Sequence, residues 1–219
     1  MALYPELKSF IEARIAEFDR IPAERRERLG QLTRYVQTCI DEARPIQLTF
    51  VCTHNSRRSQ WAQIWAEAAA AFYWIPQVRA FSGGTERSAF NPRAVEAARR
   101  AGFEIEMATD GKNPVYQIRT TDRAAPVSCF SKGFSDAPNP REAFCAVMVC
   151  SDADRACPAV PGATARVAIP FEDPKSSDGT PQESATYDER CAQIAREVLF
   201  MFSEVRSAPR SMPVRPAHP

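Results

Sequence analysis

Histidine is nearly missing from this chain: His54 and His218 are the two that occur in 219 residues. None of the seven cysteines falls at zinc-finger spacing, so the zinc-module classes are excluded. Excess charge is also missing. Lys and Arg total 28 against 27 Asp and Glu, which leaves +1 and no bulk field for nucleic acid or an anionic membrane. Any anion site must therefore be local. No run approaches the ~20 apolar residues of a membrane span. The opening Met1-Ala-Leu-Tyr-Pro-Glu lacks the basic-then-apolar pattern of a signal peptide. The cysteine count is odd and the spacing uneven, in a chain long enough to fold without staples. A secreted disulfide framework is not expected, and a reducing cytoplasm is. What is present is an ordinary globular composition, 44% hydrophobic and 25% charged. It suffices for one sizeable domain with a buried core, plus extensions.

Hydrophobic spacing divides the chain. Leu7, Phe10, Ile11, Ile15 and Phe18 recur at helical intervals, as do Leu29, Leu32, Tyr35, Val36, Cys39 and Ile40. Residues 1–44 read as a helical hairpin, a structural appendage or a partner surface, packed on a main domain over 45–206. In that domain strand and helix patterns alternate: strands near 46–51, 78–81, 143–149 and 165–169, and helices from Ser59 to Tyr73, from Asn91-Pro92 to Gly102, and over about 184–202. Ser82-Gly83-Gly84-Thr85 reads as a turn, and 106–143, rich in Pro, Asp, Ser and Lys, as a long functional loop able to gate a pocket. The Pro- and Arg-rich tail 207–219 reads as disordered. The alternation predicts an α/β fold: a doubly wound, four-stranded parallel sheet flanked by helices, with an N-terminal helical extension. Ligands of such sheets bind at the carboxyl ends of the strands. Cys52 and Cys150 both fall there.

The stretch Cys52-Thr53-His54-Asn55-Ser56-Arg57-Arg58-Ser59 joins the first strand to the first helix. A cysteine and an arginine bracketing such a loop form a cradle for a tetrahedral oxyanion: loop N–H groups and the helix N-terminus face the anion, and Arg58 grips it as a fork. The same field favours the thiolate of Cys52, a nucleophile. Asn55 suits the unusual backbone angles of such a loop, and Ser59 can donate a hydroxyl to the sulfur. After the fourth strand comes Phe171-Glu172-Asp173-Pro174, where Asp173 is a candidate acid for a leaving oxygen. The third segment is Cys150-Ser-Asp-Ala-Asp-Arg-Ala-Cys157-Pro158. Helical spacing of seven puts both sulfurs on one face but two turns apart, too far for a bond without rearrangement. Spacing alone leaves open a moving thiol relay or a core Cys150 with an incidental Cys157. Cys39, Cys129, Cys145 and Cys191 read as structural.

Together these segments resemble the low-molecular-weight protein tyrosine phosphatase superfamily, and within it the thioredoxin-coupled arsenate reductases. The phosphatase-type signature C-x-G-N-x-C-R-S is matched by Cys52–Ser59, the reductase segment C-S-D-A-D-x-x-C-P by Cys150–Pro158, and the Asp-Pro motif by Asp173-Pro174. Coverage is about residues 46–203. The resemblance implies a low-molecular-weight phosphatase-like fold. It implies an oxyanion bound by Thr53, His54, Asn55, Ser56, Arg57 and Ser59, attack by Cys52 beside Arg58, and protonation by Asp173. Cys150 and Cys157 would form the relay to a thioredoxin-like reductant. The electrons would come from thiols, so no metal, flavin or nicotinamide is expected on the chain. Three departures stand out. His54 replaces a glycine, Arg57 replaces a second loop cysteine and adds charge at the mouth, and Gln63 stands where many reductases carry a glutamate linked to a potassium site. A phosphatase needs only Cys52, Arg58 and Asp173. A non-catalytic anion-binding module, with residues 1–44 as the partner surface, is the third possibility.

Overall fold

Four parallel strands in the order β2-β1-β6-β7 form the centre of the computed structural model, which describes residues 3–157 and 159–206. They are β1 (Ile46–Cys52), β2 (Val78–Gly84), β6 (Phe144–Met148) and β7 (Ala163–Ala168). Every residue of β6 is buried, as a central parallel strand requires. The chain runs outward from β1 to β2, then returns to β6 and β7 on the other side of β1. The strand order thus reverses between β1 and β6, which opens a crevice at their carboxyl ends. The register sets Val51 opposite Met148, so the loops that begin at Cys52 and Cys150 leave the sheet side by side.

The helices are α1 (Pro5–Ile15), α2 (Ala23–Asp41), α3 (Arg58–Phe72), α4 (Pro92–Arg100), α5 (Ser151–Ala156) and α6 (Glu183–Ser203). Asn91 caps α4 by accepting the Arg93 N–H, with Pro92 in the first turn, as the sequence predicts. Helices α1 and α2 both pack on α6. Their Leu7, Ile11, Leu29, Leu32, Val36 and Cys39 are wholly buried in the same apolar core as Phe50 and Val147. No helix among the described residues is long and apolar enough to cross a membrane. The predicted tail 207–219 and Pro158 lie outside the described residues.

Two expectations are corrected. The segment 106–143 is not irregular throughout: β3 (Glu104–Met107), β4 (Tyr116–Arg119) and β5 (Val127–Cys129) form an antiparallel sheet in the order β3-β4-β5. It is also tied down next to the candidate site. Ser131 Oγ donates to the His54 carbonyl at 2.9 Å, and the Lys132 N–H donates to Asn55 Oδ1 at 3.0 Å. The Ser82-Gly83-Gly84 stretch is not a turn but the end of β2. Gly83 is there because residues 132–134 run against the strand, and Gly84 because the Cys52 loop and the Glu86 carbonyl leave a Cβ no room. Gly84 N–H donates to the Lys132 carbonyl at 2.9 Å, and a Cβ on Gly83 would lie 2.3 Å from Phe134 Cα.

Helix α3 carries a carboxylate inward. Glu67 Oε1 accepts the Ala80 N–H of β2 at 2.7 Å. Burial raises its pKa, against the pull of that N–H and of Arg79.

Candidate active site

Cys52 closes β1 and is 3% exposed. Five residues turn the chain into α3, whose amino end faces the loop and supplies positive potential there. The turn depends on Asn55, at φ 46°, a left-handed conformation that asparagine tolerates. The positive φ of this loop thus falls at Asn55, one residue beyond the substituted His54. The Asn55 amide is engaged at both its oxygen and its nitrogen. Its oxygen accepts the Lys132 N–H and, at 3.2 Å, Gln60 Nε2; its nitrogen donates to Ser59 Oγ at 2.8 Å. Because Ser59 Oγ accepts from Asn55, its own hydrogen is left for Cys52 Sγ, 3.0 Å away.

Arg58 starts α3 and returns to the next loop of the sheet. Its Nη1 donates to the Phe171 carbonyl at 2.8 Å and its Nη2 to Asp173 Oδ2 at 2.7 Å. Asp173 Oδ1 accepts the Lys175 N–H at 3.1 Å, which caps the short 3-10 turn Pro174–Ser177. Thr53, His54, Arg58, Phe171, Glu172 and Asp173, with Ser151, Asp152 and Pro170, line a cavity of about 400 Å³.

The other loop residues are placed differently. Thr53 faces the second thiol: its Oγ1 lies 3.5 Å from Cys150 Sγ. The half-exposed His54 ring turns outward, with Nε2 3.2 Å from Glu86 Oε2. Ser56 Oγ donates to the Ala89 carbonyl at 2.7 Å. Arg57 was expected to add charge at the mouth. Its guanidinium is instead buried, with Nε donating to the Tyr187 hydroxyl at 2.9 Å, and it is not among the residues lining the cavity. Gln63 is buried on α3, and its Oε1 has no hydrogen-bond partner among the described residues.

Cys150 is fully buried at the amino end of α5, where its sulfur accepts the Ala153 N–H at 3.3 Å. Cys157 is partly exposed at the far end of that helix. All seven cysteines are free. Burial pushes the thiols of Cys129, Cys145 and Cys191 up to about 12, so these three stay protonated and inert. Sequence reasoning passed over Tyr187 and Asp178 as site residues. Tyr187 stood on the apolar face of the last helix, and a phenol buried there requires a hydrogen-bond partner, which was the available signal.

A buried thiol at the end of a central parallel strand, followed by a tight loop into a helix and beside a cavity lined by an arginine–carboxylate pair, has the layout of a class: thiol-based oxyanion chemistry. The scaffold matches a solved low-molecular-weight phosphotyrosine phosphatase from Vibrio cholerae O395 with a TM-score of 0.50, over 72% of this chain and 95% of that one, at 10% identity. In sequence, an arsenate reductase of Bacillus licheniformis is 29% identical over 158 residues, which cover 71% of this chain and 93% of the relative. An arsenate reductase of Staphylococcus aureus (strain Newman) is 30% identical over 125 residues, covering 57% of this chain and 76% of the relative. No family model matches the chain. The chain belongs to the arsenate reductase family, and its fold is that of the low-molecular-weight phosphatases.

Proposed function

We propose that this chain reduces arsenate to arsenite with its own thiols and passes the resulting disulfide to an external dithiol reductant of the thioredoxin type, in the cytoplasm. One observation carries the reading: Cys150 Sγ stands 3.5 Å from Thr53 Oγ1, inside the loop that begins at Cys52. A phosphatase has no use for a second thiol there. No resident cofactor takes part in the proposed cycle.

Arsenate enters the 52–59 loop and displaces Asp173 from Arg58. The Cys52 thiolate forms a bond to arsenic, and one arsenate oxygen leaves as water with a proton from Asp173. Cys150, as thiolate, then attacks Cys52 Sγ. The sulfur–sulfur bond forms, the sulfur–arsenic bond breaks, and its electron pair stays on arsenic, which falls from +5 to +3 as two thiols become one disulfide. Cys157 next attacks Cys150 and frees Cys52. That last bond requires α5 to open. Seven residues at the helical rise of ~1.5 Å span about 10 Å, beyond the ~7 Å limit of a disulfide.

The test is arsenate turnover with thioredoxin in single Cys→Ser variants, with disulfides mapped by mass. Cys157→Ser stops after about one turnover and accumulates Cys52–Cys150; Cys150→Ser gives none. Continued turnover in Cys157→Ser removes the relay. Aryl-phosphate hydrolysis that survives loss of both thiols, without arsenate reduction, makes the chain a phosphatase.

A further inference from the structure

Arg57 stands where related loops carry a cysteine, and its guanidinium is engaged wholly inside the protein. Nε donates to the Tyr187 hydroxyl at 2.9 Å, Nη1 lies 3.5 Å from Asp173 Oδ1, and Nη2 lies 3.9 Å from Asp178 Oδ2. The Tyr187 hydroxyl donates onward to Asp178 Oδ1 at 2.7 Å, so it is used as both donor and acceptor. Tyr187 itself is wholly buried and set edge-on against Trp61, with ring centroids 6.0 Å apart. Arg57 is therefore a cation fixed from behind. Arg58 is not: it faces the cavity, and its partners are the two groups on the acid loop.

Asp173 is held from two sides. Its Oδ2 pairs with Arg58, while its Oδ1 takes the Lys175 N–H and lies beside Arg57. An oxyanion in the 52–59 loop needs the N–H groups of Arg58, and one N–H cannot serve both the carboxylate and the anion. Binding thus removes the partner of Oδ2 and sets a second negative group near it, which repels the loop outward. Arg57 cannot follow the anion, because Tyr187 and Asp178 hold it.

We propose that Arg57, fixed by Tyr187 and Asp178, is a positioning residue that keeps Asp173 facing the Cys52 loop once the oxyanion has taken Arg58. Oδ1 stays anchored, and Oδ2 becomes the oxygen directed at the departing group. The catalytic consequence rests on the arsenate-reductase reading, whereas the exchange of partners requires only a bound tetraoxoanion.

Two experiments test it on the full chain. In crystals soaked in inorganic phosphate, Arg58 is expected on the phosphate and Asp173 Oδ1 within hydrogen-bond reach of Arg57. A carboxylate that leaves Arg57, or an Arg58 still on Asp173 beside bound phosphate, overturns the proposal. In solution, Arg57→Gln is expected to lower kcat for arsenate by about 10- to 100-fold, a fraction of what a general acid supplies. Phosphate inhibition should change by less than about threefold, since Arg57 does not touch the anion. Arg57→Lys restores part of kcat, and Tyr187→Phe lowers it in the same direction by less. An unchanged kcat, or a loss of phosphate affinity as large as the loss of kcat, refutes the positioning role. If the wild-type chain reduces no arsenate while the soaked crystals show the exchange, the arsenate reading fails and the exchange stands.

Discussion

Opening α5 is the costly step of the proposed relay, and one side chain bears on it. Arg166 of β7 reaches over the helix end. Its Nε donates to the Cys157 carbonyl at 3.0 Å, and its Nη2 donates to the Asp154 carbonyl at 2.8 Å and pairs with the Asp154 carboxylate. Little else holds α5, since Ala153 is its one buried residue. Arg166 therefore stabilises the reduced, helical form and must let go in the Cys150–Cys157 disulfide. The two side chains are 27% and 34% exposed, so water offsets much of each contact. We take about 1–2 kcal/mol for the set, less than the ~1.5–3 kcal/mol that one buried charged hydrogen bond can give. For a two-electron couple this is about 20–45 mV. Arg166→Leu, in a Cys52→Ser background that isolates the pair, should thus have a midpoint potential about 20–45 mV more negative. The assay is equilibration in graded dithiothreitol or glutathione buffers with quantitation by mass. Arg166→Lys should fall between. A midpoint that moves by less than about 10 mV, or becomes less negative, refutes the argument.

Gly83→Ala should cost about 1–3 kcal/mol and lower Tm by about 2–12 °C, because its Cβ would meet backbone that has no room to yield. A wild-type Tm would mean that the 132–134 segment moves freely. Glu67→Gln keeps the acceptor for Ala80 N–H and removes the partly buried charge. The folded pKa of Glu67 is raised, so its contribution to stability is fully present below the ordinary value of 4.5 and is lost as pH rises through the folded value. The variant should therefore be more stable than wild type near pH 7 in urea titrations, with the gap closing toward pH 4.5; a pH-independent gap contradicts this. Asn55→Ala strains a φ of 46° and orphans the Lys132 N–H at a cost of about 1–3 kcal/mol. Phosphate titration calorimetry should show weakened binding, and an unchanged affinity would mean that Asn55 does not set the loop.

The parallel sheet was legible because β1 and β6 are nearly unbroken apolar runs, and the predicted strand and helix ends lie within a few residues of those found. The meeting of the Cys52 and Cys150 loops followed from the same reading, since both begin at carboxyl ends of adjacent strands. The second sheet was not legible. Its strands are three or four residues long, and β3 has no buried residue, so no alternation could build up. Gly83-Gly84 carried a true signal with the wrong source: close approach of backbone, from Phe134 at Gly83 and from Thr53, Asn55 and Glu86 at Gly84, imitates the signature of a turn. Arg57 failed for a similar reason. Its neighbours in sequence are loop residues, but its partners lie 116, 121 and 130 positions downstream, and no local pattern announces them.

The acid-bearing loop leans on the other end of the chain. Arg25 of α2 pairs with Glu197 at 2.6 Å, donates to the Ile169 carbonyl at 3.3 Å, and lays its guanidinium 4.7 Å from the centre of the Phe171 ring. The Phe171 carbonyl is in turn an anchor of Arg58. Helix α2 thus buttresses the floor beneath the proposed proton donor, so a shortened protein begun at β1 would keep every residue of the 52–59 loop yet lose this brace.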